Sequence, residues 1–241
     1  MGQLQRQFYS ILKDRHPTMS RGVEEARSAA PELVDLHFEE CLGWLTRSFG
    51  EDALTRAADG YAMFTMEVNR AQQAYEAAGK YQVSSFAEAN RLVYQQPDHM
   101  NQYYWGVFAI IFCWRHYVEL MQFYIERFVR RLSPGRLIEI APGHGAWGIL
   151  AVTGGHMTLE GWDISPTSLE MAPMMAAGAG VGSKCLYRTG DATTLKHDQE
   201  RFDAAVCCFM LEHLEKPGKF LADFALSLKS GAMAFVSLAL T

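Results

Sequence analysis

The hydrophobic pattern changes period at Ser133–Pro134–Gly135, and this switch restricts the fold more sharply than any other feature of the chain. Before it, from residue 1 to about 131, apolar residues recur at three-to-four spacing, which is a helical period. Pro31 is placed for a first helical position and is followed by Leu33, Leu36, His37, Cys41, Trp44 and Leu45. A second helix is predicted from about Glu51 through Tyr75, with Leu54, Ala58, Tyr61, Met63, Phe64 and Val68 on its apolar side, ending at Gly79–Lys80. A short helix follows Ser84–Ser85, with Glu88 spaced to close a capping box on Ser85. A long aromatic helix is then expected from about Pro97 to Arg131.

After the break the pattern alternates between short apolar runs and helical stretches. Arg136 to Ala141 reads as a strand, followed by a glycine loop, a short helix through Ile149–Val152, and a second strand from Met157 to Trp162 closing on Asp163. Ser165–Pro166 reads as an N-cap and first-turn proline opening a helix to about Ala177. Strands at Lys184–Arg188, Phe202–Cys208 and Ala232–Leu238 complete the series, with a helix over Pro217–Lys229 between the last two. Strands that are apolar throughout and alternate with helices imply a parallel sheet covered on both faces. The fold class is therefore α/β, a Rossmann-like parallel sheet preceded by an all-helical domain.

Composition narrows the partners. A net charge of −5 offers no basic field for a phosphate backbone, so nucleic acid is not expected. The apolar run Trp105 to Trp114 is too short to span a bilayer, and no membrane association is expected. The N-terminus lacks a secretory signal, and Arg6 stands where a myristoylation motif needs Ser or Thr. The five cysteines have irregular spacing and no CxxC pair, which fits reduced core thiols in a cytoplasmic protein. The histidines are scattered and carry no carboxylates at ligand spacing, so no metal site is expected.

The loop Gly143–His144–Gly145–Ala146–Trp147–Gly148 has the form GxGxxG between a strand and a helix. Its glycines permit a tight turn and close approach of backbone to ligand, and the helix start offers free N–H groups. Asp163 follows 20 residues after Gly143, at a strand end where a carboxylate can accept ribose hydroxyls. A nicotinamide dinucleotide and an adenosyl group fit these features equally well. Glu139 argues for a cationic ligand, because an acid beside an anionic pyrophosphate is unfavourable. Gly190–Asp191–Ala192 follows strand three, where a carboxylate can accept an adenine amino group. Phe209–Met210–Leu211–Glu212–His213–Leu214 closes strand four, where a wall over the ligand is needed.

With Glu139–Ile140–Ala141–Pro142–Gly143–His144–Gly145, Trp162–Asp163, Gly190–Asp191–Ala192 and Leu211–Glu212–His213–Leu214 in this order, the region from about 134 to 241 resembles class I S-adenosylmethionine-dependent methyltransferases. The resemblance implies S-adenosyl-L-methionine as cofactor. It implies that Glu139, Ala141, Gly143 and Gly145 back the methionine part, that Asp163 takes the ribose, and that Ile164 packs on adenine. Asp191 with Ala192 would cap the adenine amino group, and Phe209 or Met210 would line the methionine side. Two departures stand out. Ala141 replaces the family's usual glycine, and the family's last two strands are missing from a chain that stops at Thr241. A bare apolar edge on strand five is unfavourable, so a fragment of a longer enzyme, a second covering chain, or coverage by the helical half or a second copy is expected, the fragment being favoured.

Methyl transfer needs a nucleophile held in line with the sulfonium methyl and shielded from water. A base is needed only where the acceptor must first lose a proton. His213, beside Glu212, is the nearest candidate, its alternative role being a structural residue at a helix start. His99, Tyr103 and Tyr104 are candidate substrate residues, because in this family the segment before strand one commonly crosses the cofactor; their alternative is core packing. Residues 1–132 are expected to form a helical lid, dimerisation and substrate domain, and residues 133–241 the S-adenosylmethionine-binding domain. The expected protein is a cytoplasmic, homodimeric biosynthetic methyltransferase acting on a small metabolite. A non-catalytic or split subunit needing a partner chain and a nicotinamide-dependent oxidoreductase are the alternatives.

Overall fold

A computed structural model describes residues 1–79, 96–191 and 201–239. The expected capping box at Ser85 and Glu88 lies outside them, as does Ala192. The chain divides into two compact units, Met1–Gln122 and Phe123–Thr241.

The first unit is helical: α1 Gln3–Arg15, α2 Ser20–Ala29, α3 Pro31–Leu33, α4 Glu39–Phe49, α5 Ala53–Ala78, α6 Pro97–Cys113 and the first part of α7, Arg115–Arg127. Phe8, Leu12, Phe38, Leu42, Trp44, Leu45, Phe108 and Phe112 form its core, each at most 2% exposed. The Glu39 carboxylate accepts the Leu4 and Gln5 amides, both at 3.0 Å, and so supplies partners for the otherwise unsatisfied start of α1. Helices α5 and α6 cross in backbone contact, since a Cβ on Gly106 would meet Gly60 O at 2.6 Å and one on Gly60 would meet Gly106 N at 2.8 Å. As the sequence predicts, Gly79 ends α5 in the left-handed conformation, φ 64°, and returns its N–H to Tyr75 O at 2.7 Å.

Two helical expectations need correction. Between α3 and α4 the residues Val34–Phe38 form a π turn, which rotates the following side chains relative to a straight helix. Val34 and Phe38 are consequently buried and Leu36, expected on the apolar face, is 63% exposed. The long aromatic helix is in fact broken at Trp114, which is extended at φ −115°, ψ 130°. There its indole packs against Phe64 at 5.7 Å and Tyr117 at 5.9 Å. Tertiary ring packing thus ends the helix without a proline or glycine.

The second unit is a five-stranded parallel sheet in the order β3-β2-β1-β4-β5, with β1 Arg136–Ile140, β2 Thr158–Asp163, β3 Cys185–Thr189, β4 Phe202–Cys208 and β5 Leu228–Ser237. Its helices are α8 Ala146–Gly155, α9 Pro166–Gly178 and α10 Pro217–Leu226. Ile138, Ile140, Phe202, Ala205 and Cys207 pack with Phe220 and Phe224 of α10 on one face. The last turns of α7 belong to this unit, where Tyr124 donates its hydroxyl to Trp147 O at 2.6 Å and packs edge-on to Phe235 at 4.7 Å. Ser165 takes the expected N-cap position of α9 with Pro166 behind it, yet its side chain makes no capping bond.

Candidate cofactor site

In an open parallel sheet, ligands bind beyond the carboxyl ends of the strands where the strand order reverses. Here that point lies at the end of β1, between β2 and β4. Glu139 and Ala141 stand at the end of β1, Asp163 and Ile164 at the end of β2, Asp191 just beyond β3, and Phe209 and Met210 just beyond β4. Sequence positions spread over 70 residues are therefore gathered along one sheet end.

The loop after β1 depends on left-handed backbone. Ala141, Gly143 and Gly145 have φ of 55°, 56° and 81°. Only glycine enters this region without steric cost. Ala141 is held there by its N–H, which donates to Trp162 O at 2.9 Å. Gly145 also brings α8 close to α9: a Cβ there would lie 3.0 Å from Ala172 Cβ.

Gly148, the last glycine of the motif, serves Glu139. Its amide donates to Glu139 Oε1 at 3.0 Å, and a Cβ on Gly148 would collide with Glu139 Oε2. Glu139 is 2% exposed, and its Oε2 has no hydrogen-bond partner in the described structure. Burial, opposed by the Gly148 amide and helped by the Asp163 charge, pushes the Glu139 carboxyl up to about 8. His144 is also buried, at 2% exposure, and its Nδ1 accepts the Ala146 amide at 3.1 Å at the start of α8. Burial lowers its pKa to about 3, so the imidazole is neutral near pH 7.

Asp163 ties the loop to α9. Its Oδ2 accepts the Gly143 amide at 3.2 Å and the Ser168 hydroxyl at 2.6 Å, and Oδ1 accepts the Ser165 amide at 2.9 Å. This carboxylate braces the start of α9 through the Ser165 amide and the Ser168 hydroxyl. Burial raises its pKa while the Ser168 hydroxyl and the Ser165 and Gly143 amides pull it down. The Ile164 amide donates to the same carboxylate. Ser168 and Gly148 carry structural roles that sequence reasoning missed; the only signal was Ser168 standing five residues after the strand-end acid.

The other strand ends complete the rim. Gly190 donates its amide to Asp163 O at 3.0 Å, which brings half-buried Asp191 beside the end of β2. Phe209 is a non-glycine residue at φ 54°, with its N–H on Ser237 O at 2.9 Å. Its ring lies 6.3 Å from Trp147, which stacks on Phe235 at 6.0 Å. Met210 packs against the α10 side of the core.

The expected acid–base pair is placed less directly. Leu211–His213 form a 3₁₀ turn with Glu212 and His213 exposed. The Glu212 carboxylate accepts the Ala239 amide at 3.2 Å, which ties it to the segment after β5. Although His213 has exposed area, neighbouring atoms desolvate the ring enough to lower its pKa, against the opposing Glu212 charge. His99, Tyr103 and Tyr104 all lie on α6 of the helical unit. There Tyr103 packs against Phe64 at 5.4 Å and Tyr104 at 5.7 Å, and Tyr104 is 7% exposed. Among the described residues no group of three or more His, Cys, Asp or Glu side chains is placed to hold a metal ion, and no helix is long and apolar enough to cross a membrane.

Strand order, glycine loop and strand-end acids are similar to those of class I S-adenosylmethionine-dependent methyltransferase domains. The family model described as a methyltransferase domain matches residues 137–231. The chain is 25% identical over 104 residues to ajmaline N-methyltransferase of Rauvolfia serpentina, a match covering 43% of this chain and 36% of that protein. A solved candidate O-methyltransferase of Nostoc punctiforme PCC 73102 superposes with a TM-score of 0.55 at 20% identity, over 75% of this chain and 53% of that one. The chain thus matches about a third of the length of the curated relative and about half of the solved one.

Proposed function

We propose that this chain transfers the methyl group of S-adenosylmethionine to a small organic acceptor. The observation that carries the reading is Glu139: a buried carboxylate beneath a glycine loop, with one oxygen on the Gly148 amide and the other without a partner. Such a group is costly to bury alone and is satisfied by a ligand bearing an ammonium, directly or through water. An ammonium stabilises the ionised form of this carboxyl and an anionic pyrophosphate does not, which favours a sulfonium cofactor over a nicotinamide dinucleotide.

In this reading Glu139, Ala141, Gly143 and Gly145 hold the methionine part, and Asp163 takes the ribose. Ile164, Asp191 and Ala192 frame the adenine, and Phe209 and Met210 wall the methionine side. The cofactor supplies an electrophilic methyl on a sulfonium. The protein's task is to align the acceptor and exclude water, which can account for roughly 7–11 kcal/mol of the barrier. His213, neutral near pH 7, takes a proton from acceptors that must lose one. His99, Tyr103 and Tyr104 are the proposed acceptor-recognising residues of the helical unit, to which a homodimer interface is also assigned in this reading. The acidic chain and a relative named ajmaline N-methyltransferase both favour a small organic acceptor over nucleic acid.

Calorimetric titration with S-adenosylmethionine and S-adenosylhomocysteine tests the reading. Saturable binding of both is expected, and a folded chain that binds neither at high micromolar concentration, or binds NADH instead, overturns it.

A further inference from the structure

Glu160 lies within β2, and the strand register puts it in one row with Ile138 of β1 and Leu186 of β3. Alternate residues of a strand share a face, so Arg136, Ile138, Glu160, Trp162, Leu186 and Arg188 point to one side of the sheet. Glu139 and Asp163 point to the other. Three guanidinium groups surround the Glu160 carboxylate. Arg201 donates to its Oε2 at 2.7 Å, and the Trp162 indole donates to its Oε1 at 3.1 Å. Arg136 stands 3.7 Å from Oε2 and Arg188 stands 3.9 Å from Oε1, both beyond hydrogen-bond distance. A buried carboxylate needs a paired cation and further hydrogen bonds, and Arg201 with the indole already supplies them. Asp203, the acid beside Arg136, is held by Lys229 at 2.7 Å. Among the described residues, three arginines against one glutamate therefore leave a charge of +2, on a chain of net −5. Arg136 and Arg188 are both exposed, and each rests on an aromatic ring. The Arg136 guanidinium lies 5.3 Å from the Phe202 ring centre, and that of Arg188 lies 5.7 Å from Trp162. Such stacking fixes a guanidinium while leaving its edge N–H groups to bind. Leu186, between them on the same face, is exposed.

We propose that this face binds a small phosphate monoester, its phosphoryl group held by Arg136 and Arg188 and its apolar body laid over Leu186 and Trp162. Charge selects the class. A surplus of +2 matches a dianion, which near pH 7 means a phosphoryl group and not a single carboxylate. Geometry agrees, because guanidinium forks bond phosphate oxygens in pairs. Arg136 and Arg188 both stand within 4 Å of one carboxylate, so their guanidinium groups share a neighbourhood small enough for one ligand. Glu160 lies beneath them, 7% exposed and already neutralised by Arg201, so it does not repel the anion outright. The site uses the sheet face opposite Glu139 and Asp163 and does not depend on the cofactor reading.

The experiment titrates the chain, without cofactor, with phenyl phosphate, inorganic phosphate and benzoate at matched ionic strength. Nuclear magnetic resonance of the arginine Nε–H groups is the readout, with Arg136→Gln and Arg188→Gln identifying the two signals. Phenyl phosphate is expected to saturate below about 1 mM, with the largest shifts at Arg136 and Arg188 and weaker binding of inorganic phosphate. Each glutamine variant is expected to lose about 10-fold or more in affinity. Should one of them fail to fold, Arg136→Lys and Arg188→Lys keep the charge without the fork and are expected to lose about threefold. Lys13→Gln, on α1 of the helical unit, is expected to bind as the parent does. Inorganic phosphate binding as tightly as phenyl phosphate overturns the ester assignment. Benzoate saturating equally well, an equal loss in Lys13→Gln, or no saturable shift overturns the site itself.

Discussion

Glu139 Oε1 accepts the Gly148 amide at 3.0 Å while Oε2 lies buried with no partner, so one glutamate both fastens the glycine loop and leaves half its carboxylate unsatisfied.

This arrangement predicts a proton exchange on ligand binding. Glu139, raised from 4.5 to about 8, is mostly protonated in the free domain at pH 7. An ammonium beside it restores the ionised form, so binding releases close to one proton. The measurement is calorimetric titration with S-adenosylhomocysteine in buffers of different ionisation enthalpy, and an observed enthalpy independent of buffer would contradict it. Stability carries the matching sign. Between pH 4.5 and about 8 the unfolded chain has lost the proton that the folded chain keeps. The Glu139 contribution therefore declines as pH rises through that window and is flat above it. Thermal denaturation of Glu139→Gln should show a smaller decline over the same range.

Asp163 and Ser168 should separate scaffold from binding. Asp163→Ala strands the donors of Gly143, Ile164, Ser165 and Ser168, and is expected to cost about 2–4 kcal/mol of stability and to abolish cofactor binding. Ser168→Ala removes only one donor, costs about 1–2 kcal/mol, and leaves the carboxylate in place for a ribose. Chemical denaturation with parallel binding titrations checks both. Equal binding loss in the two variants would mean that Asp163 acts only as a fastener.

What the sequence made legible follows from local signals. The five strands, the glycine loop and the cap at Gly79 are written in apolar runs and in residues that tolerate φ > 0, and all are present. The break at Trp114 and the π turn at Val34–Phe38 were not legible, because each is decided by packing against residues distant in sequence or by a one-residue shift in hydrogen bonding. At the site, residue types and strand-end positions were legible. That Gly148 serves Glu139, or that Ser168 serves Asp163, was not, because these bonds link elements whose proximity only the folded sheet creates.

Ala141 stands where its φ of 55° favours glycine. A left-handed alanine costs about 1–2 kcal/mol, and glycine returns part of that through greater freedom in the unfolded chain. Ala141→Gly is therefore expected to stabilise the domain by about 0.5–1 kcal/mol while preserving cofactor affinity. A destabilised variant in urea denaturation would show that the Ala141 methyl contributes packing that outweighs the strain.

His213 is the proposed base for acceptors that must lose a proton. Its pKa is lowered by desolvation, so the imidazole is neutral and able to accept a proton near pH 7. Glu212 is already engaged by the Ala239 amide at 3.2 Å, which makes it a poor second base. With an acceptor that must be deprotonated, His213→Ala should lower kcat by about 10²–10⁴-fold and leave S-adenosylhomocysteine affinity unchanged. Glu212→Gln should change kcat by less than about threefold, since an amide oxygen can still accept from Ala239. The parent rate should fall on acidification at a lower pH than an ordinary histidine would give, because desolvation lowers the His213 pKa. A His213→Ala enzyme with undiminished kcat on such an acceptor would assign the residue to the 3₁₀ turn alone and send the search for the base to another part of the protein.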